Sequence, residues 1–459
     1  RLWLPDWIPG SYMIRDFARN LDRLHAIDGR MQPVAITALD KSSWRCAPCA
    51  GPLTVRYEVY AWDLSVRGAH FDQSHAFFNG TGLFLCPVGL ETAPIVLTLN
   101  RPQSCGNGDW LVCSGLNAQV NKDLFNGCRK LAAGASLMWR AQNFDHLIDH
   151  PFEMGNLQTA EFVAHGVPHY LAFYGADQDL DLARLCEDLQ PVCESQIALF
   201  EPETRAAPFS GYWFMTHATA DGYGGLEHGN STALVCSRND LPQKGVDKAP
   251  DGYETFLGLC SHEYFHAWNV KRMKPSAFTP YDLRIENYTR LLWVFEGFTS
   301  YYDDIMLARS GKMTEKAYLK ALAKTASQVL KNPGSTVQAV TESSFEAWTK
   351  YYRQDENAPN AIVSYYTKGA LVALCMDTTI RSRTRGANSL DDVIRLMWKK
   401  HGKKGVVMEK VGAGLLRASW CRRRRGKELT FATVDEISIG VLVRWLSQEQ
   451  VQCIGAAQR

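Results

Sequence analysis

The sequence predicts a multidomain α+β protein, and three observations carry that prediction. Roughly the first 170 residues alternate apolar and polar side chains between Gly, Pro and Asn clusters. From about Leu180 helical periodicity mixes with a few strand-like runs, and beyond about residue 310 the pattern is helical. At 459 residues the chain has room for two to four domains and needs no staples merely to fold. The resulting division is a β-sheet or sandwich domain over 1–178, a mixed domain over 179–310, a helical domain over 311–404 and a basic, atypical tail over 405–459.

In the first domain "PLTVRYEVYAW" puts Leu53, Val55, Tyr57 and Val59 on one face, with "APIVLTLN" and "HYLAFYG" as further strands. "FNGTGLF" and "NRPQSCGNGDW" punctuate them. Next, "LARLCEDLQPVCESQIALF" has helical spacing that Pro191 is expected to break, "GYWFMTHAT" is a strand, and "GYETFLGLCSHEYFHAWNV" is a helix. "TEKAYLKALAKTASQVLKN" and "SLDDVIRLMWKKHG" are helices. The second has Ser389 as N-cap, Asp392 three residues on and Gly402 past its end.

Charge and cysteine usage narrow the function classes. Residues 399–427 hold eleven Lys or Arg and one acid, leaving 39 basic against 47 acidic groups elsewhere. That stripe has no aromatic interleaving and no zinc-finger spacing, so no nucleic-acid partner is expected. Thirteen cysteines are scattered without an even framework and read mostly as free core thiols, the Cys46–Cys49 pair in "CAPC" included. No run of 18 uncharged apolar residues is present, so no membrane span is expected. The chain reads as soluble, its compartment open between cytoplasm and periplasm.

The chemistry concentrates in "SHEYFHAWN". On a helix, positions i and i+4 share a face, so His262 and His266 can aim ring nitrogens at one ion, and Glu263, one step around, can reach a water there without ligating. A catalytic zinc needs three protein ligands and an open position, and Glu296 in "RLLWVFEGFTSYYDD" is the third candidate. Its neighbours Leu292, Trp293, Phe295, Phe298 and Tyr302 make an unpaired carboxylate costly, so a cation beside it is expected. Asp303, seven residues on, is a candidate to orient a ligating histidine. In "DGYGGLEHGN" the pair Gly224 and Gly225 permits close backbone approach before Glu227 and His228. In "VSYYTKGA" either tyrosine hydroxyl is a candidate donor to an oxyanion.

Together "HEYFHAWNVKR", "FEGFTSYY", "GGLEH", "YYTKGA" and "WIPGSYMIRDFARN" resemble the glycyl aminopeptidase family of gluzincin metallopeptidases, over roughly the first 400 residues. The resemblance implies a thermolysin-like catalytic domain and one zinc per chain on His262, His266 and Glu296. It implies Glu263 as general base and then acid, and Tyr366 as the oxyanion donor. Glu227 would bind the free α-amine of the substrate beside Gly224 and Gly225, a charge-assisted contact that makes an aminopeptidase. The substrates implied are peptides with a free N-terminus, small residues such as Gly or Ala preferred. Rival readings are a zinc hydrolase of a non-peptide substrate, such as an epoxide, and a non-catalytic truncated homologue that binds. Such families carry further strands before "WIPGSY" and a PDZ domain after the helices, so the chain reads as incomplete at both ends, with an aberrant sequence beyond about residue 405.

Overall fold

The computed structural model describes residues 1–105, 108–116 and 127–403, so the basic tail lies outside the described residues. It is a mixed α+β protein with β sheets in the N-terminal region and helices in the C-terminal region. Two compact units are present. The first comprises Arg1–Pro191, Ala207–Ala267 and Asp282–Glu286; the second comprises Val192–Ala206, Trp268–Tyr281 and Asn287–Arg459, described as far as residue 403.

In the first unit, Ala69–Phe71, His75–Phe78, Phe152–Gly155, Trp110–Cys113 and Arg129–Leu131 form, in that spatial order, an antiparallel five-stranded sheet. Its inner face buries Phe78, Trp110, Val112, Trp139, Phe152 and Met154. The strand predicted from "PLTVRYEVYAW" spans Thr54–Val59, with Val55, Tyr57 and Val59 half-buried in alternation. Leu53 lies outside it and is exposed, because the alternating face begins only once the ladder with Leu21–Ile27 has started. Cys113 and Cys128 form a disulfide with Cα atoms 4.8 Å apart, an exception to the free-thiol expectation; the other nine cysteines among the described residues, Cys46 and Cys49 included, form no disulfide.

Downstream a second five-stranded sheet is built from β1 (Gln158–Ala164), β2 (Val167–Tyr174), β3 (Tyr212–Thr219), β4 (Gly224–Glu227) and β5 (Ser231–Ser237). Spatially the order is β1-β2-β3-β5-β4, with parallel pairing of β2 to β3 and of β3 to β5. A parallel step needs a crossover, and between β2 and β3 it is the helix α1 (Leu182–Phe200). Pro191 lies inside α1 instead of breaking it. Proline removes one donor from the ladder, but Leu185, Leu189, Val192, Cys193 and Ile197 are all buried, and that continuous apolar stripe outweighs the lost bond.

The helix α2 (Tyr253–Phe265) packs on β4 and β5. Apolar on almost every side, it is a core helix and not an amphipathic surface one. His169 on β2 ties the sheet to it: the imidazole donates from Nδ1 to the Val167 carbonyl (2.9 Å) and accepts at Nε2 from the Tyr264 hydroxyl (2.8 Å). Burial pushes the His169 pKa down to about 4, and that of His150 likewise to about 4. An unfolded chain takes up these protons first, near pH 6.5, so their stabilising contribution is complete above that pH and is lost as pH falls towards 4. Each is worth about 3 kcal/mol at the acid end. Urea midpoints should therefore drop between pH 6.5 and 4, and less steeply in His169→Gln; an unchanged slope in that variant would contradict this account.

In the second unit a π-helical turn, Trp293–Gly297, runs into α3 (Phe298–Arg309), followed by α4 (Glu315–Lys331), α5 (Thr367–Thr384) and α6 (Leu390–Met397). The cap expected at Ser389 is present, its N–H donating to Asp392 Oδ2 (2.8 Å); α4 is capped by Thr314, which the sequence reading did not single out, accepting from Ala317 N–H (3.2 Å). Gly402 is the last residue of the helical run and does not lie past its end: α6 passes into a further π turn, Trp398–Gly402, anchored where Trp398 Nε1 donates to Glu201 Oε1 (2.7 Å). Tyrosine–carboxylate hydrogen bonds, each backed by an arginine, tie the helices together. Tyr301 donates to Asp377 (2.7 Å), which also receives Arg381, and Tyr302 donates to Asp391 (3.0 Å), which also receives Arg309.

Candidate active site

Within the first unit, α2 ends at the histidine pair. His262 is in the last turn and His266 is the C-cap, with their Nε2 atoms 3.1 Å apart and their rings 80° from coplanar. Two imidazoles that present the same nitrogen to one point are the donor arrangement a single ion takes from an i, i+4 pair. His266 is buried and His262 is half-buried, so this end of the helix keeps an approach. At this end the His266 N–H still donates to the His262 carbonyl (3.3 Å).

Glu263 and Glu227 are both buried, and donor atoms of Glu227, Glu263 and His266 lie within 4.8 Å of one another. Two carboxylates so close in a dry site repel, and a cationic guest removes that repulsion. Strand β4 supplies Glu227 from the edge of the sheet, where pairing with β5 sets Gly225 opposite Leu234 and Glu227 opposite Thr232. The two glycines of the strand do different things. A Cβ on Gly225 would lie 2.6 Å from Glu263 Cγ, so that residue must be glycine for α2 to press its glutamate against the strand; beside Gly224 the space is open. His228, next along, donates from Nδ1 to Asp149 Oδ1 (3.4 Å).

Glu296 and Tyr366 lie in the second unit. Glu296 is 2% exposed inside the π turn, whose wider winding frees carbonyls of the ordinary helix ladder. Asn269 meets that demand, its Nδ2 donating to the carbonyls of Val294 (3.2 Å) and Phe295 (3.1 Å). Gly297 and Gly369 let the turn and α5 meet backbone to backbone, for a Cβ on Gly297 would stand 2.6 Å from Gly369 Cα. That crossing brings the start of α5, and Tyr366 with it, to Glu296. Desolvation first and the Glu296 carboxylate second push the Tyr366 hydroxyl pKa well above its ordinary value; Tyr351 is raised by desolvation, against a hydrogen bond with Ser364, with a smaller push from Glu296. Tyr366 is half-buried with its hydroxyl 3.3 Å from that of Tyr352, whereas Tyr365 is fully buried. Asp303 sits on α3. Tyr352 and Asn269 escaped the sequence reading; the asparagine sits three residues past His266 inside the quoted motif, but only the π turn explains it.

Sequence models of two domains match this chain: the Peptidase M61 N-terminal domain over residues 1–156 and the M61 glycyl aminopeptidase over residues 255–372. Among solved structures it is similar to an aminopeptidase N family protein from Idiomarina loihiensis, at 44% identity and a TM-score of 0.85, covering 93% of this chain and 69% of that one. The chain belongs to the M61 glycyl aminopeptidase family. That places it among the metallo-aminopeptidases, which are hydrolases. Its M61 fold extends to more distant proteins. An M1 zinc metallopeptidase from Deinococcus radiodurans is 12% identical with a TM-score of 0.52, covering 91% of this chain and 84% of that one. A point variant of that enzyme bound to Tyr-Ser-Ala gives 12% and 0.51, covering 87% and 83%. No curated protein matches. His262, Glu263, His266, Glu296 and Tyr366 fall inside the M61 catalytic match; Gly224, Gly225 and Glu227 fall between the two matched segments. No helix among the described residues is long and apolar enough to cross a membrane.

Proposed function

We propose that this M61 chain is a zinc aminopeptidase that removes small N-terminal residues, glycine or alanine, from peptides. The observation that carries the reading is the Nε2 pair of His262 and His266, 3.1 Å apart at the end of a buried helix beside two buried carboxylates. The donor set fits zinc: two neutral imidazoles, with Glu296 as the carboxylate ligand, suit a borderline-soft ion and leave one position open. One zinc per chain, in a thermolysin-like domain of residues 179–310, would supply Lewis-acid polarisation of the scissile carbonyl.

The remaining work falls to side chains. Glu227 accepts hydrogen bonds from the substrate α-ammonium and fixes which peptide bond is presented. Glu263 takes a proton from the attacking water as its oxygen bonds to the carbonyl carbon, then delivers that proton to the departing amine as the C–N bond breaks. Tyr366 donates to the oxyanion that develops between those steps. The ammonium also offsets the repulsion between Glu227 and Glu263, so a peptide with a blocked N-terminus both loses a contact and leaves a charge unpaired. The tripeptide substrate held by the Deinococcus radiodurans variant supports peptides as the substrate class.

Purified protein should contain about one zinc, lose activity on chelation and regain it with zinc. It should release glycine and alanine from their p-nitroanilides and leave the N-acetylated compounds intact. Folded protein devoid of zinc, equal cleavage of blocked substrates, or turnover only of an epoxide would each overturn the reading.

A further inference from the structure

The turn "WIPGSY" of the N-terminal domain reaches Glu227. Gly10 adopts φ +92°, and a Cβ on it would lie 2.7 Å from both Glu227 Oε1 and Leu226 Cδ1 and would overlap Glu227 Oε2. Separations under 3 Å force something to move, and because the backbone on both sides is held, it is the carboxylate end of the Glu227 side chain that would be displaced. The turn is fastened on both sides: Trp7 Nε1 donates to the Asp282 carbonyl (3.0 Å), Ser11 N–H donates to the Ile8 carbonyl (3.1 Å), and Trp7 and Tyr12 are fully buried. Ile8 shares a core cluster with Leu226. Glu227 sits at the end of a paired strand, with the next residue's N–H donating to Ser231 O (2.9 Å).

We propose that Gly10 is a positioning residue for Glu227: by lacking a side chain it leaves the slot that the carboxylate fills, and so sets where a substrate's free amine binds. The inference rests on the reading of Glu227 as the amine acceptor. It gives the N-terminal β domain a direct part in exopeptidase specificity. A Gly10 needed only for its positive φ would behave differently, since strain at the turn is indifferent to whether a carboxylate lies opposite.

The discriminating experiment measures binding of alanine hydroxamate and of propionohydroxamate, which lacks the amine, to the zinc-loaded protein by calorimetry. Wild type, Gly10→Ala, Glu227→Ala and the double variant are compared, with melting temperatures recorded. Gly10→Ala should weaken alanine hydroxamate about 10–100-fold, the loss of one charge-assisted contact, and leave propionohydroxamate within about twofold. In the Glu227→Ala background Gly10→Ala should cost nothing further, as coupled neighbours require. Gly10→Ala with Glu227→Asp, whose shorter carboxylate clears the slot, should recover much of the selectivity.

Equal losses for both ligands, or the same loss with Glu227 absent, would overturn the positioning role while leaving the amine acceptor intact. Should Glu227→Ala itself fail to discriminate between the two ligands, the reading of Glu227 falls and takes this proposal with it. Should Gly10→Ala not fold, the Glu227→Ala double variant decides: folding restored by removing the carboxylate supports the slot, and continued failure to fold refutes it.

Discussion

Glu263→Gln leaves the protein folded and zinc-loaded and lowers kcat/KM on alanine p-nitroanilide by about 10³–10⁴-fold, the span that loss of a positioned general base removes. Glutamine has the shape of glutamate, and the slot beside Gly225 is fitted to that shape, so packing is retained. What disappears is the capacity to accept a proton from water and return it to the leaving amine. At about 1.4 kcal/mol per tenfold, the loss corresponds to about 4–5.5 kcal/mol of transition-state stabilisation. Metal content, KM and melting temperature serve as controls, because a collapse of the site would move all three. Glu263→Asp, which retracts the base but keeps its chemistry, should fall between glutamine and wild type. A glutamine variant with undiminished turnover would remove the general base from the proposed mechanism.

What could be read from the sequence was what is local. The histidine pair is a four-residue relation on one helix, and its shared face follows from helical geometry alone. Ser389 and Asp392 act within a single turn, so their capping was legible too. Glu296 stood out because a carboxylate among Trp293, Phe295 and Phe298 has to be explained. The winding of its turn stayed hidden, because a π turn differs from an α turn by one residue of register and is held by Asn269, 27 positions away in the chain. Pro191 misled because a local rule was set against a tertiary term, the buried stripe of α1. The strand order β1-β2-β3-β5-β4, the Cys113–Cys128 bridge and the fit of Gly10 against Glu227 join residues far apart in sequence. Periodicity carries no information about such pairs. For Gly10 the only sequence trace was a Pro-Gly turn, which says that the chain bends there and nothing of what it bends around.

Tyr366→Phe carries the second large effect: kcat falls about 10²–10³-fold, the cost of one oxyanion donor, while KM stays near the wild-type value. The substitution removes a single oxygen and leaves the ring stacked on Tyr365, whose centroid is 4.6 Å away. A hydroxyl that acts on the developing oxyanion alone meets no charge in the ground state, so substrate binding is spared. Desolvation and the Glu296 carboxylate both favour the protonated phenol, which keeps Tyr366 a donor throughout the neutral range. Its removal should therefore scale the whole pH profile down without moving either limb, in contrast to Glu263→Gln, which removes a titrating group. Tyr352→Phe, which takes away only the hydroxyl 3.3 Å from that of Tyr366, should cost less, and Tyr365→Phe, fully buried, less still on kcat. A phosphonate that mimics the tetrahedral state discriminates further: in Tyr366→Phe its inhibition constant should weaken in proportion to the loss in kcat/KM, since both report the same contact. Equal weakening of a plain substrate-like inhibitor would mean that the hydroxyl binds the ground state as well, and Tyr366 would then be a binding group and not the oxyanion donor.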